Sequence, residues 1–483
     1  MTFGHGVASG DPLPTSVVLW TRWTPSPDRE PSGGEAEPVA IDWLIATDAD
    51  LDDVVAHGTA TTGPGDDYTV KVDPGGLKPG TCYWYRFTGP PQPGSDNQSP
   101  VGRTRTAPSP EAQVGGLRLG LVSCASFAAG WFHAYRNLAR RDIDLVVHVG
   151  DYLYENGRHA TGGPRRHPVA RAVTVDGYRT RHALYKTDPD LQTLHARHPM
   201  VAVWDDHELA GGAWSGGAHE HDPGRHGPWA ARKAAAVQAY WEWMPIRRPD
   251  PADPGRIYRM LRWGGLVDLA MLDTRLVGRD RPVGGGKGVV VKVSDTGRSM
   301  LGADQRRWLE AEMAASTAYW RLIGNQVMLA PSPLVAGRLL NPGQWDGYPD
   351  ERDWLYGVLA AAGGNSAVLS GDIHSSWAND LPVGAEFVCP SVSSPSFAAI
   401  LVPGGRLGAV ASEWMFRSQN DHVRMVELRH HGYVVVDVTR QRIQADWWHL
   451  GTVRGSSPAE SYAGGWQLHP DRPGLVPAPG PLS

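Results

Sequence analysis

The sequence has no excess of basic residues, no long apolar run and few cysteines. It carries 46 Lys and Arg against 51 Asp and Glu, a net charge of -5, so it lacks the basic field that nucleic-acid binding usually needs. No stretch of about 18 or more apolar residues occurs, and no transmembrane helix is therefore predicted. Three cysteines cannot build a disulfide framework, and their odd number leaves at least one thiol free. We expect a monomer without a stable nucleic-acid partner.

The chain is long and rich in turn-forming residues. Its 483 residues include 58 Gly and 40 Pro, which predicts two domains with many loops. Between residues 17 and 105, short alternating runs such as Ile41-Asp42-Trp43-Leu44-Ile45 are separated by Gly, Pro and Asp, as in a β-sandwich. A turn before Tyr83 is similar to the tyrosine corner of immunoglobulin-like domains. We therefore predict an immunoglobulin- or fibronectin-like sandwich over residues 1–108.

The pattern changes beyond a Pro- and Ser-containing linker near residue 108. Strand-like apolar runs alternate with helical stretches from Leu117 onward, which predicts an α/β domain over residues 115–455. In the predicted helix 229–244, the stripe that contains Tyr240 and Trp241 is more typical of a core than of a cofactor site. Residues 456–483 are predicted to be a C-terminal extension or tail, extended or disordered from about Pro473.

Most predicted strands of the α/β domain end in residues that can bind metal. These residues are Cys124, Asp151, the run Asp205-Asp206-His207-Glu208, Asp372 and His374. A lone Gly-Asp is often only a turn or a helix cap, but a run of three acids is costly unless a cation or proton offsets the repulsion. Since ligands collect at the carboxyl ends of strands in α/β sheets, we expect one cleft.

The residue types indicate a site for more than one metal ion. Carboxylates suit hard cations, histidine suits borderline metals, and a thiolate or phenolate favours a ferric ion. Metal ions a few ångströms apart lower the pKa of a bridging water and neutralise the oxygens of a phosphoryl group. The sequence therefore predicts metal-assisted phosphoryl chemistry.

A series of motifs, in order along nearly the whole chain, resembles the alkaline phosphatase D (PhoD-like) family of metallophosphoesterases, which includes related bacterial phospholipase D enzymes. The motifs include His5-Gly6-Val7-Ala8-Ser9-Gly10-Asp11-Pro12, Gly150-Asp151-Tyr152-Leu153-Tyr154-Glu155, Trp204-Asp205-Asp206-His207-Glu208, Leu272-Asp273-Thr274-Arg275 and Ser370-Gly371-Asp372-Ile373-His374. The resemblance implies an immunoglobulin-like N-terminal domain followed by a calcineurin-like α/β domain, two packed sheets flanked by helices.

The resemblance also implies cofactors and site residues. A ferric ion would be held partly by Cys124 and Tyr154, alongside calcium, probably more than one ion, on oxygen ligands. The metal ligands implied are Cys124, Asp151, Tyr154, Asp206, Asp372 and His374. Asp151 would bridge the metals, and His207 would be the general acid.

The implied reaction is hydrolysis of phosphoric monoesters or diesters by a metal-bound hydroxide that attacks phosphorus, with His207 protonating the leaving alkoxide. Arg275 is a candidate contact for the substrate phosphate, and a loop with Arg158, Arg165, Arg166 and Arg171 could attract one. An ion pair or a solvated face is the alternative for these arginines.

Gly211 and Gly212 depart from the family pattern, since many members carry an Asn-containing segment there. A ligand or substrate contact could be lost at this position. The nearby residues His219, Glu220, His221 and Asp222 either compensate for it or form a solvated loop.

Two alternative functions remain open at this point. A purple-acid-type phosphatase would carry His where Asp372 stands, and a metal-binding structural or adhesion protein would have lost activity. The family implies an extracellular or cell-surface location; this chain begins without a signal peptide, so a cytoplasmic location is the alternative.

Overall fold

The structure, a computed structural model, describes residues 2–24, 38–91, 96–157, 162–168, 170–283, 297–334, 338–339, 341–470 and 472–482. The strands up to residue 214 are β1 (Val7–Gly10), β2 (Val18–Arg22), β3 (Val39–Ala46), β4 (Val54–Thr62), β5 (Thr69–Val72), β6 (Cys82–Thr88), β7 (Gly102–Arg105), β8 (Leu117–Val122), β9 (Leu145–His148), β10 (Met200–Ala202) and β11 (Ala213–Trp214). The later strands are β12 (Gly217–Ala218), β13 (Arg259–Trp263), β14 (Val267–Met271), β15 (Trp320–Gly324), β16 (Pro333–Leu334), β17 (Arg338–Leu339), β18 (Ser366–Ser370), β19 (Ser376–Asp380), β20 (Ala385–Val388), β21 (Val423–Glu427), β22 (Gly432–Val438), β23 (Ile443–Leu450), β24 (Glu460–His469) and β25 (Arg472–Pro477).

The helices are α1 (His133–Leu138), α2 (Val175–Lys186), α3 (Pro189–Arg197), α4 (Pro223–His226), α5 (Trp229–Trp243), α6 (Gly302–Ala315), α7 (Pro349–Ala361), α8 (Phe397–Leu401) and α9 (Gly405–Gln419). In α3 the Asp188 carboxylate accepts hydrogen bonds from the backbone N–H groups of Asp190 and Leu191, and Pro189 occupies the first turn, so the sequence caps this helix itself. None of the helices in the described ranges is long and apolar enough to cross a bilayer.

The N-terminal strands form two packed layers. Strands β4, β3, β6 and β7 make a four-stranded sheet, and β1, β2 and β5 lie in a second sheet. The two layers share a core that includes Leu19 and Trp23 from one side and Ile45 and Tyr85 from the other. This arrangement follows from strands such as β3, where Ile41 and Ile45 are buried and the residues between them are more exposed.

The second N-terminal layer is continuous with the sheet of the α/β domain. The ten-stranded sheet has the order β25-β24-β23-β22-β8-β9-β10-β1-β2-β5, and Gly10 of β1 lies opposite Met200 of β10 in a parallel pair. A Cβ on Gly10 would lie 2.1 Å from the Pro245 carbonyl oxygen and 2.3 Å from that of Met200, so only glycine fits this junction. Strands β1, β2 and β5, which precede the predicted boundary between residues 108 and 115, therefore belong to the same sheet as β8, β9 and β10, which follow it.

The α/β domain consists of two sheets packed face to face. The second sheet has the order β13-β14-β15-β18-β20-β19-β21. Leu119 and Val147 of the first sheet share a core with Leu322 and Leu369 of the second. Helices α6 and α7 cover the far face of the second sheet, where Leu309 and Leu355 are buried. Strands covered on both faces are mostly apolar runs, and β8 and β15 fit this rule.

The aromatic stripe of α5 lies in the core, as predicted. Tyr240 and Trp241 are buried, and each packs edge to face against Trp204. The prediction of a core stripe rather than a cofactor site is confirmed by this packing.

The C-terminal end is extended, which is one of the two alternatives that the sequence predicted, and it pairs into a sheet. Strand β24 pairs with β23, and β25 pairs with β24, so these residues complete one edge of the ten-stranded sheet. Beyond β25, the backbone N–H of Leu482 donates to the Asp446 carboxylate at 2.6 Å. Pro in this segment is compatible with a strand at the edge of a sheet.

Candidate active site

The metal-binding candidates of the sequence meet at one end of the two sheets. Cys124 follows β8, Asp151 follows β9, and Asp372 and His374 follow β18. All four residues have positive φ angles, of 61°, 54°, 61° and 53° respectively. Non-glycine residues in this region cost about 1–3 kcal/mol each and occur mainly where a site requires them. The carboxyl ends of the parallel strands therefore turn sharply to present their side chains to a common cleft.

The first cluster, the cysteine–tyrosine group, consists of Cys124, Asp151, Tyr154 and His374. Ligand atoms of Cys124, Asp151 and His374 all lie within 4.8 Å of one another. The Tyr154 hydroxyl lies 2.9 Å from Asp151 Oδ2 and 3.2 Å from His374 Nε2. His374 Nδ1 lies 2.8 Å from the Pro395 carbonyl oxygen, which directs Nε2 towards the cluster.

The cysteine–tyrosine group fits a bound cation by its chemistry. Burial, followed by the negative charge of Asp151, raises the pKa of both Cys124 and Tyr154 well above the usual values. Without a cation, the thiol and phenol therefore keep their protons at neutral pH. A highly charged ion at this position would favour the thiolate and phenolate, which are the forms that bind metal.

The second cluster, the aspartate group, consists of Asp205, Asp206 and Asp372. Their ligand oxygens also lie within 4.8 Å of one another. Arg275 Nη2 donates to Asp205 Oδ2 at 3.0 Å and to Asp372 Oδ1 at 2.9 Å. Burial opposes the charge of Arg275, but Asp205, Asp206 and Asp372 outweigh it and hold the pKa of the guanidinium well above its usual value.

Arg275 therefore lies in the cleft, where its place in the sequence predicted it. It is buried, and its recorded partners are carboxylates of the aspartate group. This is the ion-pair alternative that the sequence left open, and it places a positive charge among the carboxylates of the aspartate group. The role in substrate binding stays a prediction.

Asp151 and His207 lie between the two groups. Ligand atoms of Asp151, Asp206 and His207 lie within 4.8 Å of one another, so Asp151 is within reach of both clusters. Burial, with the negative charges of Asp206 and Asp372, raises the pKa of Asp151 to about 7, although His207 opposes this. A carboxylate in this position is suited to bridging two cations.

His207 is held in place by a hydrogen bond and a ring contact. Its Nδ1 lies 2.8 Å from Glu155 Oε2, and its ring packs over Tyr154 with 4.2 Å between ring centroids. Burial alone would lower the pKa of His207, but Asp206, Asp151 and Glu155 together raise it to about 10. Glu155 engages Nδ1, and a ring nitrogen of His207 lies within 4.8 Å of ligand atoms of Asp151 and Asp206.

Glu208, at the end of the acidic run, has a different role from its neighbours. Its carboxylate accepts hydrogen bonds from the backbone N–H groups of Asp151, Tyr152 and Asp205 at 3.1, 2.6 and 2.9 Å. It thereby holds the ends of β9 and β10 together.

Gly211 and Gly212, where the sequence departs from the family pattern, support the site through their backbone. The Gly211 N–H donates to Glu155 Oε1 at 3.1 Å, and the Gly212 N–H donates to Asp206 Oδ2. Gly212 has a φ of 72°, and a Cβ there would lie 2.5 Å from the His219 ring. A larger residue at Gly212 would thus disturb the donor to Asp206.

The other candidates lie outside the two groups. Glu220 Oε2 accepts from Asn156 at 2.8 Å and lies 3.1 Å from Arg171, while His219 and Asp222 are exposed. Arg165 pairs with Asp188, and its guanidinium lies over the Phe127 ring. Arg158 lies outside the described residues.

Three residues of the candidate site were not assigned a role from the sequence. Asp205 is part of the predicted acidic run but was not among the predicted ligands; Glu155 and Gln344 were not singled out. Gln344 Nε2 donates to Asp372 Oδ2. Glu155 directly follows Tyr154, and a buried acid beside a predicted ligand is the signal that could have identified it.

Comparison with known proteins identifies the family of this chain. The sequence matches the PhoD-like phosphatase family over residues 119–447 and the N-terminal domain of that family over residues 1–108. Alkaline phosphatase D of Bacillus subtilis (strain 168) is 34% identical over 486 residues, which cover 98% of this chain and 82% of the relative.

Two solved structures are similar to the whole chain. A structure of PhoD matches with a TM-score of 0.88 and 32% identity, covering 100% of this chain and 93% of that one. A purple acid phosphatase from yellow lupin (Lupinus luteus) seeds matches with a TM-score of 0.58 at 12% identity, and the match covers 92% of this chain and 71% of that one. It shows a similarity of fold alone. The chain has a metallophosphoesterase-like fold, and it belongs to the PhoD-like phosphatase family.

Proposed function

We propose that this cleft hydrolyses phosphoric esters by attack of water on phosphorus, in line with the departing alcohol. As a member of the family, the protein is a metal-dependent phosphoester hydrolase. The observation that carries the proposal for this cleft is the position of Asp151, whose carboxylate reaches both the cysteine–tyrosine group and the aspartate group. Two adjacent cation sites joined by one carboxylate suit a phosphoryl group that develops charge on several oxygens.

The two groups differ in the cations that they suit. We assign Fe³⁺ to the cysteine–tyrosine group, because a thiol, a phenol and an imidazole converge there. We assign Ca²⁺ to the aspartate group, which offers carboxylate oxygens. When bound, such ions would acidify a water molecule and neutralise the non-bridging oxygens of the phosphate.

Side chains of this protein would supply a proton and a contact for the phosphate. The bond between phosphorus and the water oxygen forms while the bond to the leaving oxygen breaks, and that oxygen must gain a proton. We assign this proton to Nε2 of His207, because Glu155 fixes Nδ1 and the surrounding carboxylates keep the ring protonated. Arg275 would contact a phosphate oxygen without leaving Asp205.

The N-terminal unit has a feature that supports an immunoglobulin-like assignment. The Tyr83 hydroxyl accepts a hydrogen bond of 2.8 Å from the backbone N–H of Lys78, five residues upstream. A buried tyrosine that bonds back to the chain before its strand is the tyrosine corner of such sandwiches. We propose that this unit is an immunoglobulin-like sandwich whose second sheet is continuous with a sheet of the α/β domain.

We also propose that the protein is a monomer and that it acts outside the cytoplasm.

Metal analysis combined with turnover tests the proposed function. Purified protein should contain iron and calcium, and it should hydrolyse p-nitrophenyl phosphate or bis-p-nitrophenyl phosphate. Chelation should abolish turnover, and iron plus calcium should restore it. Protein without iron would exclude the assignment of Fe³⁺ to Cys124 and Tyr154. Protein that holds both metals and hydrolyses neither ester would favour a binding role instead.

A further inference from the structure

Helices α8 and α9 present an unusual apolar surface beside the cleft. On α9, Leu407 is 83% exposed, Val410 46% and Trp414 72%. Ile400 and Leu401 at the end of α8 are 55% and 44% exposed. The spacing of three and four residues places the α9 side chains on one face of the helix. An exposed apolar set of this kind in a folded protein marks an interaction surface.

The opposite side of these helices is already packed in the protein. Phe397 and Phe416 are buried in a cluster with Trp377, whose ring lies 5.0 Å from that of Phe416. The outward face of α9 is therefore not the core-facing side of a displaced helix. It is a second apolar face, which another molecule could contact.

Cationic side chains lie at both ends of this face. Arg406 precedes Leu407, and Arg417 follows Trp414 by one helical turn. Both arginines are exposed, and within the part of the chain that the structure covers neither is paired with an acid. A helix with exposed leucine and tryptophan flanked by unpaired arginine is suited to the boundary between headgroups and acyl chains of an anionic bilayer.

A cavity with basic side chains in its lining adjoins the apolar face. It has a volume of about 390 Å³ and is lined by Arg406, Arg429 and His430, with Ser396 and the small residues Ala398, Ala399 and Gly405. Arg429 and His430 are both oriented by Glu427, at 2.8 Å from each. Arg406 is the cation in this lining without such a partner, and the cavity is large enough for a phosphoryl headgroup.

The surface is also connected to the catalytic cleft. The backbone N–H of Phe397, the first residue of α8, donates to the carbonyl oxygen of His374 at 3.1 Å. The Pro395 carbonyl oxygen contacts His374 Nδ1 at 2.8 Å. Since His374 belongs to the cysteine–tyrosine group, helix α8 begins directly beside the cleft.

We propose that α8 and α9 form a docking surface for an anionic lipid bilayer, with Leu407, Val410 and Trp414 entering the headgroup region and the cavity beside Arg406 taking a headgroup phosphate. Local charge rather than overall charge would guide this contact, because the whole chain carries a net charge of -5. The enzyme would then work at a membrane surface with its cleft beside the lipid headgroups.

Vesicle flotation with the metal-loaded full-length protein tests this proposal. The protein should bind vesicles of phosphatidylglycerol and phosphatidylcholine, and binding should weaken with salt. The double variant Leu407→Gln/Trp414→Gln should bind at least about tenfold more weakly, because it removes two buried apolar contacts with the bilayer. Arg406→Gln should weaken binding about fivefold on anionic vesicles but not on pure phosphatidylcholine.

Matched controls separate docking from folding and self-association. Val54→Gln/Val55→Gln changes two exposed apolar residues of β4, 42% and 49% exposed, and should leave vesicle binding unchanged. Each variant should keep the turnover of a soluble ester. Wild-type protein that does not bind vesicles, or a Leu407/Trp414 variant that binds as well as wild type, overturns the proposal. If the same variant instead converts a dimer into a monomer in sedimentation, the face binds a second copy and the membrane assignment is wrong.

Discussion

The cysteine–tyrosine group and the aspartate group lie side by side in one cleft, but the protein stabilises them differently. The aspartate group has its own cation, since Arg275 bonds to Asp205 and Asp372. In the cysteine–tyrosine group, the thiol and the phenol are buried beside Asp151, and burial followed by that negative charge raises the pKa of both. We infer that the aspartate group is preorganised by protein contacts, whereas the cysteine–tyrosine group acquires its ionised form only with its metal.

Removing the link between the groups should have the largest effect. Asp151→Asn keeps the size of the side chain but removes the negative charge that both groups share. We expect kcat to fall at least about 10,000-fold, because several kcal/mol of metal-dependent stabilisation is lost at 1.36 kcal/mol per tenfold. Steady-state kinetics and metal analysis on the same sample measure this.

Asp190→Asn is a matched control for Asp151→Asn. Asp190 is also buried, but it pairs with Arg136 and His133 away from the two groups. Its substitution should lower thermal stability and leave kcat within about tenfold of wild type, as a residue without contact to the metals would. Equal losses of kcat in both variants would contradict the bridging role of Asp151.

Ligand changes confined to one group should separate the two metals. Cys124→Ser should lower bound iron about tenfold or more while calcium is retained, because a hydroxyl is a poorer ligand for iron than a thiolate. Asp372→Asn should lower calcium and affect iron less. Elemental analysis of both purified variants measures the two ratios. If iron and calcium fall together in each variant, the groups do not bind their metals independently.

His207 lies between the two groups, and the loss of kcat caused by its substitution should depend on the leaving group. His207→Gln should reduce kcat about 100-fold for an alkyl phosphate, whose alkoxide requires a proton, and much less for a p-nitrophenyl ester. Comparing the two esters in one variant is an internal control for misfolding. Equal losses with both leaving groups would assign His207 to metal or phosphate binding instead of proton transfer.

The residues of the two groups that follow strands were predictable from the sequence for a physical reason. Parallel strands buried on both faces are apolar runs, and their carboxyl ends meet at one edge, so a polar residue after such a run marks the site. Cys124, Asp151 and Asp372 all satisfy this rule. The roles of Cys124 and Tyr154 depended on family resemblance, since a buried cysteine or tyrosine has no distinguishing pattern of its own.

The contacts between segments were not predictable. Asp206 and Glu208 are both acids of one short run, but the first lies among the candidate metal ligands, whereas the carboxylate of the second accepts from the backbone N–H groups of Asp151, Tyr152 and Asp205. That choice depends on the turn in which they lie. The junction of Gly10 with Met200 likewise joins distant segments, and no local periodicity indicates it.

The smallest predicted effect concerns Glu155, which orients His207 without belonging to either group. Glu155 is fully buried, its Oε2 lies 2.8 Å from His207 Nδ1, and its charge is one cause of the raised pKa of about 10 at His207. Glu155→Gln should lower that pKa. Since His207 must be protonated to act as an acid, activity would be lost at a lower pH: the alkaline limb of the kcat profile should move towards neutrality, with kcat about tenfold lower at its maximum. Glu386→Gln, another fully buried glutamate whose partners include the N–H groups of Leu329 and Ala330, should leave the limb in place. A limb that stays fixed in Glu155→Gln would show that the proton lost at alkaline pH does not come from His207.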